Sequence, residues 1–466
     1  MCDEAILPRR HFLRQAGGGF GAVALAWMEA RAQEKSHFVP RARRVIHVFA
    51  LGGMSHVDTF DFKPELIRHD GQALSGKGKV DTFFGKPGNL LKSPFEFRQH
   101  GGSGLWVSDL LPSIASVADE LCVVRSMLTK NNNHTPATFL MDSGFTMSGF
   151  PSMGSWVSYG LGSETEDLPA FVVLPDPRGE PAGGSANWSA GFLPAAHQGV
   201  AFSTRTAEPV KDLAPPAGDD PAARAAGLGL IDAINREDAA RSGGDSALAA
   251  RLRSYELAAR MQIRVPEAAD LSNESEETRR LYGLDRKDSE GFGRNCLLAR
   301  RLLERGVRFV QLFHGGAFGG NPRINWDAHE DVVANHRLQA SSLDRPVAGL
   351  LLDLRRRGML DDTLVLFTTE FGRTPMTEGV GTRGRDHHPH AFTSWLAGAG
   401  VRRGTAFGSS DEVGYHAVEH PVTTYDLHAT VLHLLGLDHT KLTFYHNGIQ
   451  RRLTDVHGHV VEGLLA

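Results

Sequence analysis

Four short polar clusters carry the residue types of metal and acid–base chemistry. They are Ser55-His56-Val-Asp58, Asn131-Asn-Asn-His134-Thr135, Asn325-Trp326-Asp327-Ala-His329, and a stretch from Glu370 and Arg373 to Arg385, Asp386, His387 and His388. Asp, Glu and His together are the ligands of a zinc-like or manganese-like cation, with no cysteine required. Arginines among them would suit a phosphate-like anion. Each cluster also has a purely structural reading. Asp58 can close a turn, and His134 can be a hydrogen-bonded core histidine. Glu370 and Arg373 can form a buried ion pair. Asp386 can orient His387 without touching a metal. Asp327 and His329 would face one way on a strand. What sets the clusters apart is position, since all four lie beyond apolar, strand-like runs.

Those runs must place them. Strands are expected over 44–50, 122–127, 170–174, 307–313 and 363–369. Helices are expected over 109–121, 247–262, 295–305, 333–357 and 424–435, and Gly306 and Gly358 stop two of them. Repeated helix–glycine–strand units argue for an α/β fold, a mostly parallel central sheet with helices on both faces. Strand carboxyl ends converge on one edge of such a sheet, so clusters far apart in sequence can meet there. Residues 63–105 read as an irregular excursion, and 178–245, rich in Gly, Ala, Pro and Asp, as an insertion. The rest, 33–466, reads as a single domain.

The N-terminus reads as a twin-arginine export signal over residues 1–32. Arg9-Arg10-His-Phe12-Leu13 precedes an apolar run and Ala30-Arg-Ala32 forms a small-x-small cleavage site. The run is too short and glycine-rich to span a membrane. Gly17-Gly-Gly19-Phe-Gly-Ala22 matches a dinucleotide fingerprint in form, but no strand precedes it. A formal charge of -4 over 466 residues gives no electrostatic case for nucleic acid, whereas 22 histidines favour metal chemistry. Cys122 and Cys296 could pair in an oxidising compartment, but one lies in a strand and the other on a helix face, which favours two separate buried thiols. His329-Glu330 does not extend to H-E-x-x-H, because position 333 is Val, and no G-x-S-x-G nucleophile elbow follows a strand.

The chain resembles the bacterial domain-of-unknown-function family 1501, exported sulfatase-like proteins of the alkaline phosphatase superfamily. The resemblance runs through Gly52-Gly53-Met-Ser55-His56-Val-Asp58-Thr-Phe-Asp61, Pro151-Ser-Met-Gly-Ser-Trp156, Asn325-Trp-Asp-Ala-His329, Glu370-Phe-Gly-Arg-Thr-Pro375, Gly384-Arg-Asp-His387 and Thr424-Tyr-Asp-Leu-His-Ala-Thr430. It implies one or two divalent metals at the carboxyl edge of the sheet. Asp58 matches the superfamily's first acid, and His134 falls where a sulfatase has its cysteine or serine, so no formylglycine can form there. Asp327-Ala-His329 shortens D-x-x-x-H, Glu370-Phe371 replaces a paired D-H or D-N, and His387 supplies the late histidine. One metal site is therefore expected over two, with zinc, calcium, manganese or magnesium held by His56, Asp58, Asp327, His329, Glu370, Asp386 and His387.

The implied activity is metal-dependent hydrolysis of sulfate or phosphate esters outside the cytoplasm, small-molecule or polysaccharide. His134 or Thr135 would be nucleophile, or His134 general base, and Arg373 and Arg385 would hold the anion. The expected partners are the ester substrate and the twin-arginine export machinery. The alternatives are a non-catalytic surface binding or assembly protein that keeps the fold, and a phosphotransferase of the same superfamily.

Overall fold

The computed structural model describes residues 36–466 apart from 77–79, 81, 84–85, 206–208, 317–322, 380 and most of 211–263. The export signal and most of the helix expected over 247–262 lie outside the described residues. The strands, in chain order, are β1 (Arg44–Ala50), β2 (Phe97–His100), β3 (Leu105–Ser108), β4 (Leu121–Leu128), β5 (Phe171–Leu174), β6 (Val200–Ala201), β7 (Phe309–His314), β8 (Thr363–Thr368), β9 (Gly372–Thr377), β10 (Arg385–His388), β11 (Phe392–Ala397) and β12 (Thr405–Phe407). Two short strands, β13 (Ser409–Ser410) and β14 (Ala417–Glu419), pair with each other, and β15 (Val422–Thr423) lies beside β4.

The central sheet has the order β12-β4-β11-β8-β1-β7-β5-β6. It is mixed α/β and mostly parallel, with β11 antiparallel to both of its neighbours. Alternation along β1 explains how one strand serves two cores. Ile46, Val48 and Ala50 face helices Glu290–Glu304 and Val332–Arg356, while Val45 and Phe49 face helices Met153–Leu161 and Thr424–Leu434. Both faces are covered, which is why the strands read as near-continuous apolar runs.

The structure corrects three expectations. The helix expected over 109–121 is two short turns, Pro112–Ala115 and Ala118–Glu120. Pro112 disfavours helical backbone at the residue before it, and Leu111 has ψ 57, so no helix starts at Asp109. The excursion 63–105 holds the short helix Pro64–Arg68 and most of the β2–β3 hairpin. The insertion contributes β6 to the sheet edge. Cys122 and Cys296 are separate buried thiols. Among the described residues no helix is long and apolar enough to cross a membrane.

Candidate metal centre

The carboxyl ends of β1, β4, β7 and β8 assemble the site. The loop Asn325–His329 is not a strand and is clamped to them. The Trp326 N–H donates to Leu51 O just beyond β1 (2.7 Å), and its indole donates to His314 Nδ1 at the end of β7 (3.0 Å). Asn325 Oδ1 accepts the Asp327 N–H (3.1 Å). This approach requires Gly52, which has φ +109; a Cβ there would lie 2.6 Å from the backbone nitrogens of Trp326 and Asp327. After β4, Asn133 in extended backbone caps helix His134–Ser143, so His134 opens that helix at the sheet edge. The β9–β10 hairpin pairs His387 with Arg373 and so presents both to Asp327.

These elements bring His134, Asp327, His329 and His387 together, all buried, with one ligand atom from each within 4.8 Å of the others. Three imidazole Nε2 atoms converge on one oxygen, Asp327 Oδ1, at 3.2 Å from His134, 2.7 Å from His329 and 3.2 Å from His387. Each ring's other nitrogen faces an acceptor. His134 Nδ1 lies 2.7 Å from Glu370 Oε1, His387 Nδ1 lies 2.6 Å from the Asn132 carbonyl, and His329 Nδ1 meets Glu378 Oε2. Carboxylates and carbonyls only accept, so each Nδ1 can donate to its partner; Asp327 Oδ1 is an acceptor too, and a cation seated there would take the place of the Nε2 protons that His134 and His329 turn to it. The His329 and His387 Nε2 atoms stand 2.9 Å apart. Buried imidazoles tied by carboxylates and aimed at one point are the usual surroundings of a metal. This cluster could hold a divalent ion.

The electrostatics agree with a concentrated site. Burial opposes charge on Asp327, but Arg373, 2.6 Å away, and the three imidazoles outweigh it and hold the carboxyl far below its usual range. Burial likewise works against protonated His134 and His329. Asp327 and Glu370 reverse it for His134, and Asp327 and Glu378 for His329, so both are raised. His387 goes the other way, pushed down to about 2 by burial.

The remaining predicted residues are placed differently. Glu370 lies outside the four-residue cluster and acts behind it, accepting from His134 and from the Gly52 N–H (2.8 Å). Asp58 sits in a 3-10 turn, His56–Asp58, which curls it away from the cluster and into a fully buried pair with Arg385 (2.7 and 3.1 Å). Burial would raise Asp58, but Arg385 outweighs it and lowers it. His56 Nε2 faces the Gly414 carbonyl (2.8 Å). Asp386 accepts the backbone N–H groups of His387 and Phe83, 2.7 Å each. Thr135, half-buried, is the second residue of helix His134–Ser143.

Glu378, Asn132 and Arg323 were not singled out from sequence. Glu378 falls inside the fourth polar stretch, so its chemistry was in view but not its direction. Arg323 stands four residues before Asp327 and holds its outer oxygen, Oδ2, a spacing that hints at pairing.

A mixed α/β sheet with a buried His/Asp cluster at its carboxyl edge is the class this structure defines. More narrowly, the chain belongs to the family described as protein of unknown function, DUF1501, which matches residues 42–465. No curated protein matches the sequence. Among solved structures, it is similar to the lipoteichoic acid synthase LtaP of Listeria monocytogenes, at 8% identity and TM-score 0.39, covering 91% of this chain and 80% of that one. It is also similar to the PsFucS1 sulfatase of Pseudoalteromonas sp., at 13% and 0.34, covering 89% and 70%. A third is the periplasmic domain of EptC from Escherichia coli in complex with Zn, at 8% and 0.35, covering 90% and 95%.

Proposed function

We propose that the protein is a single-metal hydrolase of sulfate or phosphate esters that works outside the cytoplasm. The observation that carries this reading is the convergence of three Nδ1-tethered imidazoles on Asp327 Oδ1. Three nitrogens and one carboxylate suit zinc; calcium and magnesium prefer oxygen ligands. A bound ion would supply Lewis acidity to a non-bridging ester oxygen and lower the pKa of a water.

The chain's own residues do the rest. Glu370 and Glu378 hold His134 and His329 in the tautomer that leaves Nε2 available, and the Asn132 carbonyl does the same for His387. His134 is thereby a ligand in this reading, which leaves attack to the Thr135 hydroxyl or to water. Arg373 fixes Asp327, and Arg385 fixes Asp58 beneath the hairpin. The twin-arginine pattern at residues 1–32 supports export through that machinery after folding, which suits a protein that takes up its metal first.

A binding protein without catalysis is the second reading. Its support is that Arg323 and Arg373 hold both oxygens of Asp327 and partly offset the charge a cation would use. A phosphotransferase would differ from a hydrolase by transfer to an acceptor alcohol. The test is turnover of 4-nitrophenyl sulfate and 4-nitrophenyl phosphate by the zinc-loaded protein, with His134→Ala and Asp327→Ala alongside. Turnover abolished in both variants supports the hydrolase. A metal-loaded wild type that turns over neither these esters nor a wider panel favours the binding protein.

A further inference from the structure

We propose that Arg323 is the residue that grips the oxyanion head of the ester, keeping Asp327 on Nη1 and exchanging the hold of Nη2 on Glu330 for a non-bridging oxygen. The proposal rests on the hydrolase reading above.

Three arginines reach the cluster or brace it, and they differ in what they can give up. Arg373 is fully buried. It donates through Nε to Gly53 O (2.8 Å), through Nη1 to Arg385 O (3.1 Å), and through Nη2 to Asp327 and Gly52 O. Arg385 is fully buried too. It serves both oxygens of Asp58 and the carbonyls of Thr374 (3.3 Å) and Leu91 (3.0 Å). Turning either toward a ligand would strand buried acceptors, which is costly. In this proposal Arg373 and Arg385, expected from sequence to hold the anion, brace the site instead.

Arg323 differs on each count. Its side chain is 26% exposed, and among the described residues its ionic partners are the buried Asp327 and a half-exposed Glu330 at 3.1 Å. The Glu330 pair is of the exposed kind that holds weakly and exchanges readily, whereas Asp327 is buried and keeps its hold. Its backbone is fixed all the same, because Gln339 on helix Val332–Arg356 donates to Arg323 O (2.8 Å). So the guanidinium can swing from a stationary base. It sits on the outer oxygen of Asp327, while the imidazoles occupy the inner one. Nη2, released from Glu330, can donate to an outward-facing oxygen of a tetrahedral anion while Nη1 stays on Asp327.

The experiment is calorimetric titration of the full chain with inorganic phosphate and, separately, with inorganic sulfate, as wild type, Arg323→Ala and Arg323→Lys. Zinc content is measured on every sample. In Arg323→Ala the affinity for the preferred anion falls by about 10- to 100-fold, the loss of a charge-assisted hydrogen-bonded contact, with zinc retained. Arg323→Lys recovers part of it. The anion that shows the larger loss identifies the ester class. Equal affinity in wild type and Arg323→Ala, or no anion binding in the wild type, overturns the proposal. So does loss of zinc from Arg323→Ala, which would make Arg323 a positioning residue for Asp327. If the wild type takes up no zinc, the hydrolase reading fails, and the same comparison on metal-free protein still decides whether Arg323 binds the anion.

Discussion

Two histidine groups lie at the same edge of this molecule and are built in opposite ways. In His134, His329 and His387 the Nδ1 atoms face acceptors, and the Nε2 atoms meet at a carboxylate. In the second group, His56 and His388 turn Nε2 to the carbonyls of Gly414 and Tyr415. Their rings stack at 6.4 Å, and His390 and His416 extend the row at 5.4 and 5.5 Å. The Nδ1 atoms of His56 and His388 have no hydrogen-bond partner among the described residues. Burial pushes both rings down, so they pack as neutral aromatics. The difference lies in which nitrogen the protein occupies. Occupying Nδ1 turns a convergent set of Nε2 atoms to one point, whereas occupying Nε2 spends the longer-reaching nitrogen on the backbone.

The largest effect that sharpens this contrast belongs to the ligands. His329→Ala should lower metal affinity by more than about a hundredfold, beyond what outer partners contribute, as read by competition with a metal chelator. Next come those outer partners. Glu370→Gln and Glu378→Gln should each weaken metal binding by about 10- to 100-fold while keeping one site. Equal affinity in both variants would show that the Nδ1 tethers do not matter.

A third prediction concerns the neutral rings. Burial holds His47, His314 and His336 at about 3 and His428 at about 4. A histidine lowered in the fold takes up its proton first in the unfolded chain. Its stabilisation is complete above the unfolded value and is lost as pH falls from about 6.5 toward the folded one. Each ring therefore removes about 1.4 kcal/mol per pH unit in that window. Denaturant midpoints should be flat near neutrality and fall steeply toward pH 4; a flat profile would mean these rings are not neutral in the fold. The smallest effect is His388→Gln, which should shift the melting midpoint by about 1–2 °C and leave metal content unchanged.

Much of this arrangement was legible in the chain. His134, Asp327, His329 and His387 were all marked from their places after strand-like runs, because a parallel sheet sends its carboxyl ends to one edge. The sheet and its covering helices followed from periodicity and from the glycines that end the helices. Direction was not legible. Ser55-His56-Val-Asp58 has the right residues in the right place, yet a single 3-10 turn sends Asp58 to Arg385 and His56 to a carbonyl. Glu370 stands two residues past the end of its strand, close to where it was expected, but one imidazole stands between it and the centre. Such choices are made by side-chain angles and hairpin register, which no spacing rule records.

The most direct test of the metal centre is elemental analysis of three folded proteins: wild type, Asp327→Ala/His387→Ala, and His56→Gln/His388→Gln. About one equivalent of zinc is predicted in the first and third and none in the second. No metal in the wild type after reconstitution, or equal metal in the first two, would contradict the account.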